Sequence, residues 1–261
     1  MRSSDRSVSV VMPSYNEKDN IAEAIHRIEA TLGKQLLEII VVDDNSPDGT
    51  WKIIEDLKDP RVRLIRRINE KGLASALARG TSEAKGDAVV WLDCDLGIPP
   101  EMIPRLVKPL QDYDIAIGSR YVNGGSDSRH WFRAFLSRLF NFWARLLLGR
   151  EIRDYTSGFA AVRRGILTDT PLLPNGFGEY FIDWSYRSLN AGYRIIEVPY
   201  PYGYRKTGLS KTDSDWVQFC RLGMQYTKHL IKTPFVYGRG VVRKAKQKAR
   251  DARDRAQKAR A

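Results

Sequence analysis

Gly86-Asp87-Ala88-Val89-Val90-Trp91-Leu92-Asp93-Cys94-Asp95 reads as an apolar strand that follows a glycine turn and ends in two carboxylates at i and i+2. In an open α/β sheet, ligands bind beyond the carboxyl ends of the strands. Two aspartates held there with no adjacent Lys or Arg repel each other unless a cation bridges them. A hard cation with oxygen ligands fits, and Mg²⁺ commonly uses one or two carboxylates plus substrate phosphates. Asp93 and Asp95 therefore read as a site for a metal–diphosphate complex, although an isolated Asp-x-Asp is equally at home in a solvated turn.

Working outward, Leu37-Glu38-Ile39-Ile40-Val41-Val42 is a second apolar strand that delivers Asp43-Asp44-Asn45-Ser46-Pro47-Asp48-Gly49-Thr50 at its end. Ser46 to Gly49 carries turn chemistry, and Asp48 or Thr50 suits a helix cap. Asp43 and Asp44 have no such structural use by sequence, which marks them as candidate site residues. A third strand, Val8 to Met12, ends in Pro13-Ser14-Tyr15-Asn16-Glu17. Three strand ends thus bring polar groups to one edge.

Strands are predicted near 8–12, 37–42, 62–65, 87–92 and 114–118, with helical spacing over 19–32, 51–58, 73–84 and 101–111. That alternation predicts an α/β fold with a mostly parallel central sheet. No Gly-x-Gly-x-x-Gly or Gly-x-x-x-x-Gly-Lys-Ser/Thr loop occurs, which argues against dinucleotide and P-loop sites. The 261 residues contain no Pro/Gly/Ser-rich linker, so one catalytic domain over 1–238 and a basic helical tail over 239–261 are expected.

Pro13-x-Tyr15-Asn16-Glu17, Val42-Asp43-Asp44-x-Ser46-x-Asp48-Gly49-Thr50, Lys71-Gly72-Leu73-x-x-Ala76, Asp93-x-Asp95-Leu96 with Pro99-Pro100, and Gly118-Ser119-Arg120-Tyr121 follow one another in that order. In this order they resemble the inverting family-2 glycosyltransferases of GT-A fold, a Rossmann-like nucleotide-diphospho-sugar transferase architecture. More narrowly, the chain is similar to polyprenyl- and dolichyl-phosphate mannose synthases over roughly Ser7 to Lys232.

The resemblance implies transfer of mannose from GDP-mannose to a polyprenyl phosphate with inversion. It implies that Pro13, Tyr15, Glu17, Val42 and Asp44 surround the nucleoside, and that Asp93 and Asp95 face ribose, sugar and a Mg²⁺ or Mn²⁺ ion. Cys94 sits between them among the donor-binding residues, as a thiol nucleophile or as a small side chain turned into the core. Arg133 and Ser137 lie one helical turn apart and match the family's pair for the acceptor phosphate, with Arg138 following as a further cation. Arg120 stands nearby. Tyr204 to Lys211 resembles the family's mobile loop, where Arg205 and Lys211 neutralise the diphosphate; Leu209 and Lys206 depart from the usual pattern there. Asp154-Tyr155-Thr156-Ser157-Gly158-Phe159 is similar to a segment near the donor sugar, with Asp154 either bonding a sugar hydroxyl or capping a turn. A metal-ligating Gln found in some relatives two residues past the second Asp is Gly97 here. Asp95, Arg120, Arg133 and Arg205 are the expected catalytic set.

From Trp131 to Gly149 the chain is rich in aromatics but interrupted by Arg133, Arg138 and Arg145. A bilayer span needs about 20 predominantly apolar residues, so this segment does not cross. It suits an amphipathic interfacial helix with Trp131, Phe132, Phe135, Phe142 and Trp143 at headgroup depth, or a helix packed on the sheet. The net charge of +12 is concentrated at the end, where Arg239 to Ala261 holds ten Lys/Arg and two Asp. Ala245, Ala249, Ala252, Ala256 and Ala259 give that tail a thin helical stripe. Adhesion to an anionic membrane surface is its expected role, a solvated tail the alternative, and nucleic acid is not expected as a partner.

Two cysteines, Cys94 and Cys220, are too few for a disulfide framework, and Met1 to Ser7 carries no signal-peptide pattern. A cytoplasmic enzyme peripheral to the cytoplasmic face of a membrane is expected, with a small membrane subunit as a further possible partner. Rival readings are a transferase using UDP-glucose or another nucleotide sugar, and a degenerate basic module binding lipid or nucleic acid.

Overall fold

The computed structural model describes residues 6–203 and 216–237. The predicted loop residues Arg205, Lys206, Gly208, Leu209 and Lys211, and the basic tail over 239–261, lie outside the described residues.

The first half alternates as predicted: β1 (Val8–Ser14), α1 (Ile21–Leu32), β2 (Leu36–Asp43), α2 (Thr50–Asp56), β3 (Val62–Arg66), α3 (Leu73–Glu83), β4 (Ala88–Trp91), α4 (Ile103–Val107) and β5 (Ile115–Ser119). The predicted helix over 101–111 is broken. Only Ile103–Val107 is α-helical, flanked by tight 3₁₀ turns at Pro100–Met102 and Lys108–Gln111. Pro104 and Pro109 explain this, since neither can donate a helical hydrogen bond.

The second half continues with β6 (Ser126–Asp127), α5 (Trp131–Leu148), β7 (Ala160–Arg163), α6 (Ile166–Asp169), α7 (Glu179–Asn190), β8 (Ile195–Pro199), β9 (Pro201–Tyr202) and α8 (Trp216–Tyr237). The main sheet has seven strands in the order β3-β2-β1-β4-β7-β5-β8, and β6 pairs with β9 in a small second sheet. All main-sheet pairings are parallel except the two made by β7, which runs antiparallel between β4 and β5.

Both faces of the sheet are covered, so its central strands are apolar on both sides. Val8, Val10 and Met12 of β1 point into one core with Ile21, Ile25 and Ile28 of α1, while Val11 points into the other with Ala76 and Leu77 of α3. The second core is anchored by Trp91, whose ring meets Trp184 of α7 edge-on at 4.5 Å between centroids. Trp91 Nε1 donates to Thr81 Oγ1, so this buried indole keeps its hydrogen bond. These layers fix the carboxyl ends of β1, β2, β4 and β5 relative to one another. The candidate site is assembled on that edge.

Candidate active site

The chain leaves three interior strands through left-handed residues. Asn16 and Asn45, two residues past β1 and β2, and Leu96, five past β4, have φ near 55°. Asparagine tolerates this conformation. Leucine does so at a cost of about 1–3 kcal/mol, the kind of strain that persists where surrounding structure enforces a site geometry.

Asp43 does structural work. It accepts hydrogen bonds from Ser14 Oγ at 2.5 Å, Ser46 N at 2.8 Å and Ser46 Oγ at 2.6 Å, tying the β1 and β2 ends together. Ser46 Oγ in turn accepts from Asn16 N, and Thr50 Oγ1 from Glu17 N. Asp44 is also committed: Arg67 Nε donates to it at 2.7 Å and Gly72 N at 2.8 Å. The sequence expectation that Asp43 and Asp44 lack a structural use is therefore corrected. Arg67, which the motifs did not single out, is buried beside Asp44 and also holds Ser75 Oγ and the Gly72 carbonyl. Its only sequence signal was a second arginine beyond the end of β3.

Pro13, Tyr15 and Glu17 follow one another along this edge, with Lys71 Nζ 5.2 Å from the centre of the Tyr15 ring. Val42 is fully buried in the second core. Its side chain is directed away from the edge, so only its backbone is available to a ligand.

Asp93 is exposed just past β4, whereas Asp95 is buried and accepts from Gly97 N at 2.9 Å. Cys94 faces the first core and its Sγ donates to the Pro13 carbonyl at 3.3 Å. Burial and the surrounding carboxylates of Glu17, Asp93, Asp95 and Asp43 push that thiol well above its ordinary range. It is a packed thiol, not a nucleophile, because the thiolate is the reactive form. Gly97 packs tightly against Asp95. A Cβ there would stand 3.1 Å from Asp95 Oδ1 and 3.6 Å from the Tyr202 ring, and the Gly97 carbonyl accepts from Gly203 N.

No group of three or more His, Cys, Asp or Glu side chains able to hold a metal occurs among the described residues. What the edge does offer is two hard carboxylates one residue apart, one exposed and one anchored by a backbone N–H. This donor set fits a divalent ion of the Mg²⁺ or Mn²⁺ type that arrives with a diphosphate and completes its shell with phosphate and water oxygens.

Arg120, at the end of β5, is buried and bidentate to Asp154: Nε to Oδ2 at 2.8 Å and Nη2 to Oδ1 at 2.7 Å, with Nη2 also donating to Thr156 Oγ1. Nη1 remains, 3.8 Å from Asp127 Oδ2. Asp154 is fully buried; it accepts from Thr156 N at 3.3 Å and Thr156 Oγ1 at 3.2 Å, so it caps the turn at Tyr155 and Thr156, and the same carboxylate positions Arg120. Asp127 is held in turn by Arg129, and burial pushes the nearby Tyr202 hydroxyl up to about 12, assisted by Asp95 and Asp93. Asp127, Arg129 and Tyr202 are site residues that the motifs missed. They sit on the β6–β9 ribbon, which no local pattern announces.

Ser137 accepts a 2.7 Å hydrogen bond from Tyr121 Oη, and Asn141, one turn on, bridges Thr156 Oγ1 and Tyr155 N. Arg133 lies in the first turn of α5, on the same flank as Ser137. Arg138 does not share that flank. Five residues at 100° each place it about 140° around the helix from Arg133, where its guanidinium lies 6.0 Å from the Tyr121 ring.

The sequence profile of glycosyl transferase family 2 matches residues 9–170, more than half of the chain, and takes in every site residue just described except those on β9. The chain belongs to glycosyl transferase family 2. It is 39% identical over 233 residues to a dolichol-phosphate mannosyltransferase of Pyrococcus furiosus, covering 86% of this chain and 63% of that protein. It is 37% identical over 212 residues to a polyprenol monophosphomannose synthase of Mycolicibacterium smegmatis, covering 77% of this chain and 79% of the relative. This family-2 chain thus spans somewhat less than two thirds of the archaeal relative's length. Its fold matches solved glucosyl-3-phosphoglycerate synthase from Mycobacterium tuberculosis in complex with Mn²⁺, UDP and glucosyl-3-phosphoglycerate, with a TM-score of 0.67, 23% identity and coverage of 88% and 80% of the two chains. A related structure of that enzyme holds Mg²⁺ and UDP. The mostly parallel α/β sheet is therefore that of the GT-A glycosyltransferases.

Proposed function

We propose that this protein transfers mannose from GDP-mannose to a polyprenyl phosphate with inversion, forming a lipid-phosphate-mannose. One juxtaposition carries the reading: the Asp93–Asp95 edge and Arg120 both face Tyr202, and the loop of Arg120 is hydrogen-bonded through Tyr121 to Ser137 on the aromatic-rich helix α5. A diphosphate site and a candidate lipid-phosphate site are thereby linked by one side-chain contact. The names of the relatives support the lipid acceptor and the mannosyl group.

Asp93 and Asp95 would hold the divalent ion, which as a Lewis acid stabilises negative charge on the departing diphosphate. Arg205 and Lys211, outside the described residues, are assigned to the same charge by the resemblance. Tyr15, Glu17 and the Asp44 turn form the nucleoside wall. Arg120, oriented by its bidentate pair with Asp154, offers its remaining Nη1 donor to the space between donor and acceptor. Arg133 and Ser137 bind and orient the acceptor phosphate. A phosphate monoester, with its second pKa about 6, is already anionic at pH 7, so attack on the anomeric carbon needs no strong general base. A single displacement converts an α-linked donor into a β-linked product.

The exposed face of helix α5 supports a peripheral location at a membrane. Trp131, Phe135, Leu139, Phe142, Trp143 and Leu146 are exposed along one side, whereas Ala134, Asn141, Ala144 and Leu148 are buried. The interfacial and packed readings of this segment therefore describe its two faces. No described helix is long and apolar enough to cross a membrane. The basic tail would add electrostatic adhesion, and a membrane partner would add to it.

A donor screen with short polyprenyl phosphate and Mg²⁺ or Mn²⁺ tests the reading. Release of GDP from GDP-mannose with formation of mannosyl lipid is expected; turnover of UDP-glucose alone would overturn the donor assignment. No turnover of any nucleotide sugar would return the chain to a binding role.

A further inference from the structure

A cavity of about 320 Å³ lies between α5 and the segment following β5, lined by Arg120, Arg138, Arg145, Arg153, Tyr121, Phe142 and neighbouring backbone, with no Asp or Glu in its wall. Arg120 is neutralised by Asp154. Arg138, Arg145 and Arg153 have no carboxylate partner within ion-pair distance among the described residues, and Arg145 Nε is buried with no hydrogen-bond partner at all. A buried guanidinium nitrogen without an acceptor is costly. Three like charges around one cavity repel unless an anion neutralises them. Arg138 and Arg153 are exposed and Arg145 partly buried, so the like charge of the wall and the one unmet buried donor are what point to an anion.

We propose that this cavity is a second phosphate-binding site, distinct from the Asp93–Asp95 edge and from the Arg133–Ser137 flank of α5. Arg138 and Arg145 are seven residues apart and so share one helix flank, while Arg133 lies about 140° around the helix from Arg138 and Ser137 lies between the two flanks, bonded to Tyr121 of the cavity wall. Planar guanidinium forks match oxyanions bidentately, which disfavours halide, and several forks around one cavity suit the several oxygens of a phosphate. The volume admits a phosphate with part of its hydration shell. Phe142, half exposed at the rim, continues into Trp143 and Leu146 of the apolar stripe. With that stripe on a bilayer, the mouth stands at headgroup level, so the phosphate is that of an anionic phospholipid headgroup. Inorganic phosphate shares the same chemistry. Only the lipid source rests on α5 lying at a membrane; the phosphate site stands whichever sugar the enzyme transfers.

The test uses the full chain, an Arg145→Gln/Arg153→Gln variant, and a charge-matched Arg105→Gln/Lys108→Gln control at exposed positions of α4 and the turn that follows it. Calorimetry with inorganic phosphate is expected to show saturable binding that weakens about tenfold or more in the pocket variant and is unchanged in the control. Sedimentation with phosphatidylcholine vesicles containing phosphatidylglycerol, against phosphatidylcholine alone, separates the sources. A larger loss for the pocket variant than for the control on the anionic vesicles assigns a lipid headgroup. Phosphate binding lost without that vesicle difference assigns free phosphate and keeps the site. Equal behaviour of pocket variant and control in both assays overturns the proposal. Arg153→Gln alone, at an exposed position, repeats the test if the double variant fails to fold. Metal-dependent nucleotide binding, measured in parallel, reports on the donor edge separately, so failure of the glycosyl-transfer reading would not imitate failure here.

Discussion

Asp154→Asn keeps the shape of the side chain but removes the charge facing Arg120. Asp154 is fully buried and the Arg120 side chain only 5% exposed, and the pair exchanges two hydrogen bonds of 2.8 and 2.7 Å. Asp154 Oδ2 also accepts from Arg120 N at 3.0 Å. An asparagine can meet only one guanidinium nitrogen with its oxygen and must turn an NH₂ toward the other. Breaking one partner of a buried pair costs about 3–5 kcal/mol, mostly as the penalty of an uncompensated charge. With a urea slope of about 3 kcal/mol per molar, the midpoint should fall by about 1–1.7 M. Replacing both partners, Arg120→Leu with Asp154→Leu, should recover stability relative to the single variant, because the orphaned charge is gone. Activity should not recover, since Arg120 itself is lost. Urea unfolding followed by tryptophan fluorescence gives the first two results and product formation the third. A loss below about 1 kcal/mol for Asp154→Asn, in the range of an exposed pair, would refute the view that Asp154 exists to hold Arg120.

Asp95→Asn retains an acceptor for Gly97 N, so the fold should survive while metal-dependent nucleotide binding, titrated by calorimetry with Mn²⁺, falls by about tenfold or more; unchanged metal dependence would remove Asp95 from the metal site. Arg133→Ala should raise KM for polyprenyl phosphate and leave nucleotide-sugar affinity nearly unchanged, and an equal loss of both would make Arg133 structural. Truncation after Gly238 should preserve turnover of a short soluble acceptor but reduce sedimentation with anionic vesicles, and high salt should mimic it because the screening length drops to about 3 Å at 1 M; binding that resists both treatments would transfer the anchor to Trp131, Phe135 and Trp143. The Tyr202 hydroxyl is raised from 10.0 to about 12, so between those values the unfolded chain loses this proton before the folded one. Its stabilising contribution is complete below pH 10 and lost as pH rises to about 12, and Tyr202→Phe should flatten that part of an alkaline stability profile.

Much of the donor edge was legible because it is local. A parallel strand buried on both faces is a continuous apolar run, so Val8–Met12, Ile39–Val42 and Ala88–Trp91 announce themselves and carry their terminal residues with them. The helix over 101–111 was misread because a periodic apolar pattern outlasts the helix itself; Pro104 and Pro109 break the hydrogen-bond ladder without disturbing the spacing. Strand β7 was missed for the opposite reason. Ala160-Ala161-Val162-Arg163 has little intrinsic preference for a strand, and becomes one because β4 and β5 leave a slot that only an antiparallel segment fills.

By itself the sequence determined the order of strands and helices in the first half, the acidic pair at the end of β4, and the amphipathic character of Trp131 to Leu148, since each depends on residues within a few positions of one another. The tertiary structure alone decided which charges are already spent. Asp44 meets Arg67, Asp154 meets Arg120, and Cys94 turns toward the Pro13 carbonyl, while Arg138, Arg145 and Arg153 are left facing a cavity with no acid. Partners separated by 23 to 81 positions leave no local periodicity to read. Whether a charge is neutralised or available is a property of distances in space, and the sheet edge and the flank of α5 set those distances.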